Sequence, residues 1–164
     1  MKQFGDVGGM DMDAYNGTII RAGESDAPRL ARLLAWRREG VEPGDLFIDD
    51  SIIGSAASSL ARPGFFILAA EGPSETLRGY LTASFIPKPD HRRGTLFVDE
   101  LWVAPPYRRL GIARALLAET VNLGREIGAW QLRLVVDEEN APGRRLYARM
   151  GWRLTPALFG ELDL

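Results

Sequence analysis

The chain has 164 residues, of which 46% are hydrophobic and 26% charged, and this balance predicts one folded domain with a sizeable core. It has no cysteine and one histidine, which excludes disulfide scaffolds, thiolate metal sites and cysteine nucleophiles and argues against multi-histidine metal sites. The net charge of −2 argues against a nucleic-acid-binding surface, and no apolar run is long enough to span a membrane.

The predicted elements follow from the apolar period and from glycine and proline breaks. Residues 1–17 hold four glycines without a regular period, so we expect a flexible N-terminal arm followed by a single domain at 18–164. Strands are predicted at 18–22, 65–71, 77–86, 95–103 and 131–136, with a closing hairpin at 152–164. Helices are predicted from Ser25 to a break at Gly40 and at 49–60, 110–123 and 140–150. This order predicts an α/β or α+β domain with a mixed central sheet flanked by helices.

The most informative segment is the predicted strand–turn–helix junction around Gly111. The first N–H groups of a helix have no partner within it and lie at the positive end of its dipole. Gly111 and Ala113 leave room for an anion to approach these amides. Three arginines add positive charge: Arg108, Arg109 and Arg114. The junction predicts a phosphate site, and the alternative is a solvated, arginine-rich helix start, because short glycine motifs are weak signals.

An acidic pair, Asp99 and Glu100, lies in the strand before that junction. Adjacent strand residues face opposite sides of a sheet, so both cannot be solvated when helices cover the sheet. A carboxylate at a cleft can bind an alkylammonium and accept its proton, and the alternative is a salt bridge with an arginine. We favour Glu100 over Asp99 as the base, although a β-bulge in this strand would reset the alternation and could reverse the order.

The turn resembles motif A of the GNAT superfamily of acyl-CoA-dependent N-acetyltransferases, whose pattern is Gln/Arg-x-x-Gly-x-Gly/Ala. The matching residues are Arg108, Gly111 and Ala113. A second family motif is matched by Asn140, Leu146, Tyr147, Gly151 and Trp152. The resemblance covers residues 18–154. It implies a GNAT fold with six to seven strands, splayed between the fourth and fifth.

The resemblance also implies roles for individual residues. The coenzyme A site would comprise Leu101, Trp102, Val103, Arg108, Arg109, Leu110, Gly111, Ile112, Ala113, Arg114, Asn140 and Tyr147. The amides of residues 109–113 would hold the pyrophosphate, and main-chain groups of Leu101 and Val103 would pair with the pantetheine arm as a strand does. Asn140 would hydrogen-bond that arm. Tyr147 would protonate the departing thiolate, the alternative being a packed helix tyrosine.

In this family the region between the first two helices usually borders the acceptor pocket. Three aspartates lie there and either cap the second helix or attract a polycation: Asp45, Asp49 and Asp50. Three aromatic residues either line the pocket or belong to the core: Trp36, Phe47 and Trp102. His91 is expected to be a solvated loop residue.

We therefore expect acetyl transfer from acetyl-CoA, used as a co-substrate, to a primary amine of a small molecule by direct attack. Tyr147, Glu100 and Asp99 are the catalytic candidates, and no metal is implied. The resemblance favours a polyamine-like or aminoglycoside-like acceptor, because relatives acting on such amines often carry acids at these strand positions. The alternatives are a protein or peptide amine and a non-catalytic acyl-CoA-binding regulatory module. We expect a cytoplasmic protein without membrane or nucleic-acid partners and, by analogy, a homodimer.

Overall fold

The structure is a computed structural model that describes residues 15–42, 48, 50–90 and 93–164. Backbone contacts group the chain into two units, Met1–Leu134 and Val135–Leu164. Several sequence predictions fall outside the described residues, namely those for Asp45, Phe47, Asp49, His91 and residues 1–14 of the arm. These stay predictions, as does the division into an arm and one domain.

The first unit is built on a five-stranded sheet in which the strands follow chain order. They are β1 (Thr18–Arg21), β2 (Phe65–Glu71), β3 (Leu77–Ile86), β4 (Thr95–Val103) and β5 (Gln131–Leu134). The first four pair antiparallel, and β5 lies parallel to β4, so the sheet is mixed as predicted. Three helices accompany it: α1 (Ala27–Glu39), α2 (Asp50–Leu60) and α3 (Ile112–Glu126).

Helices cover both faces of this sheet. On one face, Leu30, Leu33 and Trp36 of α1 form a buried cluster with sheet residues, including the fully buried Tyr80 of β3. On the other face α3 approaches closely, because a Cβ added at Gly124 would lie 2.7 Å from a methyl carbon of Leu132. The strands between are therefore buried on both sides, as strongly apolar strands require.

Two glycines set the ends of helices in this unit. Gly40 ends α1 in the left-handed conformation, at φ 72°, and its N–H donates to the carbonyl of Trp36 at 2.8 Å. Gly111, at φ 76°, precedes α3, which therefore begins at Ile112 rather than at the predicted residue 110. A residue with positive φ cannot continue a right-handed helix, so the predicted start was two residues early.

The sheet opens between its fourth and fifth strands. The last pair between β4 and β5 joins Val98 to Leu134, while β4 continues to Val103. Beyond Val98, this edge of β4 is not paired with β5. The splay predicted from the family resemblance is confirmed.

The second unit, Val135–Leu164, contains helix α4 (Ala141–Arg149). The closing hairpin predicted at 152–164 is wrong, because none of these described residues forms a strand. Pro156 lacks the N–H that a strand ladder needs, and Leu158 and Phe159 are exposed rather than packed. The described residues thus hold five strands instead of six to seven.

In the described part of the chain, no helix combines the length and the apolar character that a membrane crossing requires.

Candidate active site

The junction between β4 and α3 makes a sharp turn. After Val103 the chain forms a 3₁₀ turn at Pro105–Tyr107 and then passes through two left-handed residues, Arg109 at φ 65° and Gly111 at φ 76°. Glycine adopts this conformation freely, whereas an arginine rarely does. These residues let α3 begin within a few residues of the end of the strand.

This turn leaves a run of backbone N–H groups for which the described part of the chain provides no acceptor. Within the described residues, no N–H from 109 to 114 donates to a backbone carbonyl, and the first to do so is that of Ala115, to Gly111 at 3.0 Å. These donors lie at the positive end of the α3 dipole, and Gly111 adds no side chain in front of them. The predicted phosphate site therefore has suitable donors and local charge.

The predicted arginines are placed differently from one another. Arg108 donates from Nε to the carbonyl oxygen of Val103 at 3.0 Å, which fastens the turn to the strand end. Arg109 and Arg114 are exposed and form no ion pair within the described residues. Their charges are thus available to an anionic ligand, whereas that of Arg108 is partly used in holding the junction.

The open edge of β4 presents main-chain groups. The N–H of Ala104 donates to the carbonyl of Arg78 at 2.9 Å, and that of Glu100 donates to Thr82 Oγ1 at 3.1 Å, both on the β3 side. Because N–H groups alternate along a strand, those of Leu101 and Val103 point to the opposite edge. Pairing with β5 has ended there, so an extended ligand arm can be paired with these residues.

A β-bulge lies at the acidic pair. Thr82 pairs with Glu100 and Ala83 pairs with Val98, so Asp99 is an extra residue in β4. The bulge breaks the strict alternation between the two acids. Asp99 is exposed, whereas the side chain of Glu100 is 34% exposed and lies on the face that packs against α1.

Glu100 is held by two partners from other elements. Arg37 Nη1 of α1 lies 2.6 Å from Oε1, and the Tyr80 hydroxyl of β3 donates to Oε2 at 2.8 Å. Arg37 also donates to the Tyr80 hydroxyl at 2.6 Å. We call these three residues the Glu100 network. The salt bridge that was the alternative for Glu100 is formed, with an arginine that the sequence did not single out.

The network alters the titration of its members. Burial acts to raise the pKa of Glu100, but the hydrogen bonds from Arg37 and Tyr80 outweigh it, so the pKa lies below its ordinary value. Burial and the neighbouring carboxylate raise the pKa of Tyr80 far above its ordinary value. At neutral pH Glu100 is therefore ionised and Tyr80 is a neutral donor. This suits Glu100 to binding a cation better than to taking up a proton.

An aromatic cluster surrounds the network. Trp36 lies edge-on to Trp102 and to Tyr107, at centroid distances of 6.1 and 6.3 Å, and Trp102 contacts Tyr80 at 6.2 Å. Trp36 is buried and belongs to the core, whereas Trp102 and Tyr107 are half-exposed. The backbone of Trp102 is paired with Tyr80 of β3, so a ligand can contact Trp102 only through its half-exposed side chain.

Two predicted site residues lie in the second unit. The Asn140 side chain accepts a hydrogen bond from the N–H of Gly143 at 2.9 Å and so caps α4. Tyr147 is buried, with its ring 6.0 Å from that of Trp152, and burial raises its pKa above the ordinary value. Its hydroxyl makes no hydrogen bond within the described residues. Tyr147 is therefore a protonated group whose hydroxyl has no hydrogen-bond partner in the described part of the chain.

Sequence reasoning missed Arg37 and Tyr80. Tyr80 could have been noticed, because it lies in the middle of an apolar strand and a buried tyrosine hydroxyl usually needs a partner. Arg37 gave no comparable signal, because an arginine near the end of a helix is ordinary. It comes to Glu100 only through the packing of α1 on the sheet, across 63 positions of sequence.

Comparisons with known proteins show the family to which the chain belongs. A family model described as the acetyltransferase (GNAT) family matches residues 25–152, well over half of the chain and including both motifs. The chain belongs to this family. Streptothricin acetyltransferase of Streptomyces lavendulae is 40% identical over 57 residues, which cover 35% of this chain. The matched segment spans 30% of the length of that relative.

Solved structures share the GNAT fold. An aminoglycoside acetyltransferase from an uncultured soil metagenomic sample, in complex with sisomicin, has a TM-score of 0.69 at 19% identity, covering 89% of this chain and 96% of that chain. AAC(6′)-Iy in complex with the bisubstrate analogue CoA-S-monomethyl-acetylneamine has a TM-score of 0.70 at 17% identity, with 90% and 97% covered. Ribosomal-protein-alanine N-acetyltransferase from Brucella melitensis biovar Abortus 2308 has a TM-score of 0.69 at 21% identity, with 89% and 98% covered. At these identities the likeness shows the fold alone.

Proposed function

We propose that this GNAT family protein transfers an acetyl group from acetyl-CoA to a primary amine of a small, polycationic molecule. The observation that carries the proposal is the run of unpartnered N–H groups at residues 109–114, set behind a glycine at the start of α3. Such a helix start binds phosphate through its amides and its dipole. Family membership makes the pyrophosphate of coenzyme A the expected occupant.

The first unit offers both parts of a coenzyme site. The amides of residues 109–113 would hold the pyrophosphate, with Arg109 and Arg114 adding charge near it. Leu101 and Val103, at the open edge of β4, would pair with the pantetheine arm as an added strand. When bound, acetyl-CoA supplies a thioester carbonyl as the electrophile.

The acceptor amine would meet the acidic pair in β4. Glu100 is ionised and half-buried, so its assigned role is to bind the amine and orient it. A primary amine must be neutral to attack, so one proton leaves before or during the reaction. Because its lowered pKa makes Glu100 a weak base, the exposed Asp99 or water is the better final acceptor of that proton.

The proposed reaction is a direct transfer that forms no covalent enzyme intermediate. The amine nitrogen forms a bond to the thioester carbonyl carbon, and the bond from that carbon to sulfur breaks. The nitrogen gives up its remaining excess proton to Asp99 or water. In the role that the family motif implies, Tyr147 would give its phenolic proton to the departing thiolate and regain one from solvent. Its raised pKa keeps Tyr147 protonated but also makes it a weaker acid, so transfer to the thiolate depends on geometry and on the local field.

Two observations favour a small polycationic acceptor. The relative from Streptomyces lavendulae is named a streptothricin acetyltransferase, and the similar structure in complex with sisomicin is described as an aminoglycoside acetyltransferase. In this chain, two carboxylates and a half-exposed tryptophan lie together on β4, which suits a cation with an apolar body. A peptide amine is the second candidate, because a ribosomal-protein-alanine N-acetyltransferase also shares the fold.

A panel of amines tests the proposal. Thiol release from acetyl-CoA would be measured with streptothricin, sisomicin, spermidine and a peptide that begins with alanine, each against a reaction without amine. Coenzyme A binding would be measured separately by calorimetry. We expect binding, with turnover highest for a polycation. Turnover with the peptide alone would indicate that the protein acetylates protein amines. Binding of coenzyme A without turnover of any amine would indicate a regulatory module. Absence of coenzyme A binding would overturn the proposed coenzyme site.

A further inference from the structure

Arg37 places a positive charge directly beside the carboxylate to which the proposed function assigns amine binding. Its Nη1 lies 2.6 Å from Glu100 Oε1, while the Tyr80 hydroxyl occupies one position on Oε2. A carboxylate has about four acceptor positions, so Glu100 retains room for an amine N–H without losing either partner. The side chains of Arg37 and Glu100 are 41% and 34% exposed, which leaves the pair accessible.

The charge of Arg37 has a direct consequence for a bound amine. A primary alkylamine resembles the lysine side chain, whose pKa is about 10.4, so it arrives as an ammonium that cannot attack a carbonyl. A lone carboxylate would stabilise the ammonium and make loss of the proton harder, whereas a neighbouring cation makes it easier. With Arg37 paired to Glu100, the effects of the carboxylate and of the cation on the pKa of the bound amine oppose and compensate each other.

Few other groups act on this carboxylate. From β3, Tyr80 faces Glu100 as a neutral donor, and Thr82 is uncharged. From α1, Arg37 is the charged partner. Helix α2 packs on the same face, and its acid, Asp50, has no ion pair with the network within the described residues. On β4 itself the adjacent acid is Asp99, whose side chain is exposed and therefore screened by solvent. The balance at Glu100 is thus set mainly by Arg37.

We propose that Arg37 is a positioning residue that compensates the charge of Glu100, so that the bound amine releases its proton and attacks as the neutral base. This rests on the proposed function, because it needs an amine at Glu100. Glu100 then orients the amine through a hydrogen bond, and Arg37 prevents the site from trapping it as an ammonium.

Charge variants give results of opposite sign. The limb of the kcat–pH profile that follows deprotonation of the bound amine is called the amine limb. In Arg37→Gln the bound amine should hold its proton more tightly, so the amine limb moves to higher pH. Two charges about 6 Å apart at an effective dielectric constant of about 20 interact by an amount equivalent to about a hundredfold. Because solvent screens these part-exposed side chains, kcat at pH 7 should fall about tenfold or more. KM for the amine should fall as well, because a repelling cation has been removed. In Glu100→Gln the limb should move to lower pH and KM should rise.

The double variant Arg37→Gln/Glu100→Gln should return the limb towards its wild-type position, because both charges are gone. Arg37→Lys keeps the charge and should keep the wild-type profile. The matched control is Arg38→Gln, which removes a charge from the neighbouring position on α1. Arg38 pairs with Glu39 at 2.7 Å, is 64% exposed and lies outside the Glu100 network, so its profile should not move.

The outcomes separate this inference from the proposed function. Wild-type turnover with an unshifted limb in a folded Arg37→Gln variant overturns the inference and leaves the function standing. If Arg37→Gln does not fold, the test uses the isosteric Glu100→Gln and the charge-conserving Arg37→Lys instead. An amine limb that does not move in Glu100→Gln, or that moves in Arg37→Lys, overturns the inference. Wild-type protein that binds coenzyme A but acetylates none of the panel overturns the proposed function, and the inference with it.

Discussion

Gly111 allows the coenzyme site to be tested without touching an acid or a tyrosine. It lies at φ 76° immediately before α3, within the run of amides that have no acceptor among the described residues. Gly111→Glu would place a carboxylate in front of donors that we assign to the pyrophosphate. We expect the variant to lose coenzyme A affinity by electrostatic repulsion, in addition to a modest loss of stability.

The two effects can be given magnitudes. A side chain in the left-handed region costs about 1 to 2 kcal/mol, which lowers Tm by about 2–4 °C for each kcal/mol in a chain of this size. At about 5 Å and an effective dielectric constant of about 20, one carboxylate and one phosphate charge repel by about 3 kcal/mol. That repulsion corresponds to at least a hundredfold, roughly, in Kd for coenzyme A.

Gly128 supplies a matched control at the other end of α3. It has φ 72°, and a Cβ added there would meet nothing within 4 Å. Gly128→Glu therefore carries the same backbone cost and the same new charge, far along the helix from the unpartnered amides. Its Tm should fall by a similar amount, while its affinity for coenzyme A stays at the wild-type value.

Calorimetric titration with coenzyme A and thermal unfolding would be carried out on wild type and both variants. The reasoning requires that Gly111→Glu and Gly128→Glu differ in Kd and not in Tm. A folded Gly111→Glu variant with wild-type affinity would refute it, because a phosphate could not then lie against these amides. Equal loss of affinity in both variants would show a general effect of charge or stability instead.

The other predictions concern the second unit. Tyr147→Phe should lower kcat by about 100-fold or more, because a general acid is lost, while Kd for coenzyme A stays unchanged. Full activity of this variant in pre-steady-state assays would show that Tyr147 has only a packing role. Asn140→Ala should destabilise the protein by about 1 kcal/mol, because the hydrogen bond to Gly143 caps α4. Asn140→Asp keeps that cap, so unfolding should match wild type, and a weaker Kd in this variant would identify the Asn140 amide as a ligand of the pantetheine arm.

Most of the first unit could be predicted because its signals are local. The strands at 65–71, 77–86 and 95–103 have the predicted bounds, and each is a short apolar run that ends at glycine, proline or polar residues. Gly40 ends α1 through its own backbone conformation. The closing hairpin failed because apolar residues at 152–164 suggested strands, while strand formation depends on a partner edge that the sequence does not specify.

The two ends of the candidate site differ in how far sequence reveals them. The phosphate-binding part lies on consecutive residues, so glycine, helix start and arginines can be read from one segment. The Glu100 network joins three elements, and its contacts span 63 positions to Arg37 and 20 positions to Tyr80. The sequence indicated an arginine partner for Glu100 but could not choose among the arginines, because that choice is made by the packing of α1 on the sheet.

The bulge at Asp99 links these two parts. If Asp99 instead paired with Thr82 in regular alternation, Glu100 would lie on the face covered by α3, and a carboxylate there would be buried away from Arg37 and Tyr80 at a large desolvation cost. With it, Glu100 and Trp102 lie two positions apart on the face of α1, where the aromatic cluster and the arginine are found. One inserted residue therefore sets which acid faces α1 and the proposed amine site, while Leu101 and Val103 keep their main-chain groups at the open edge.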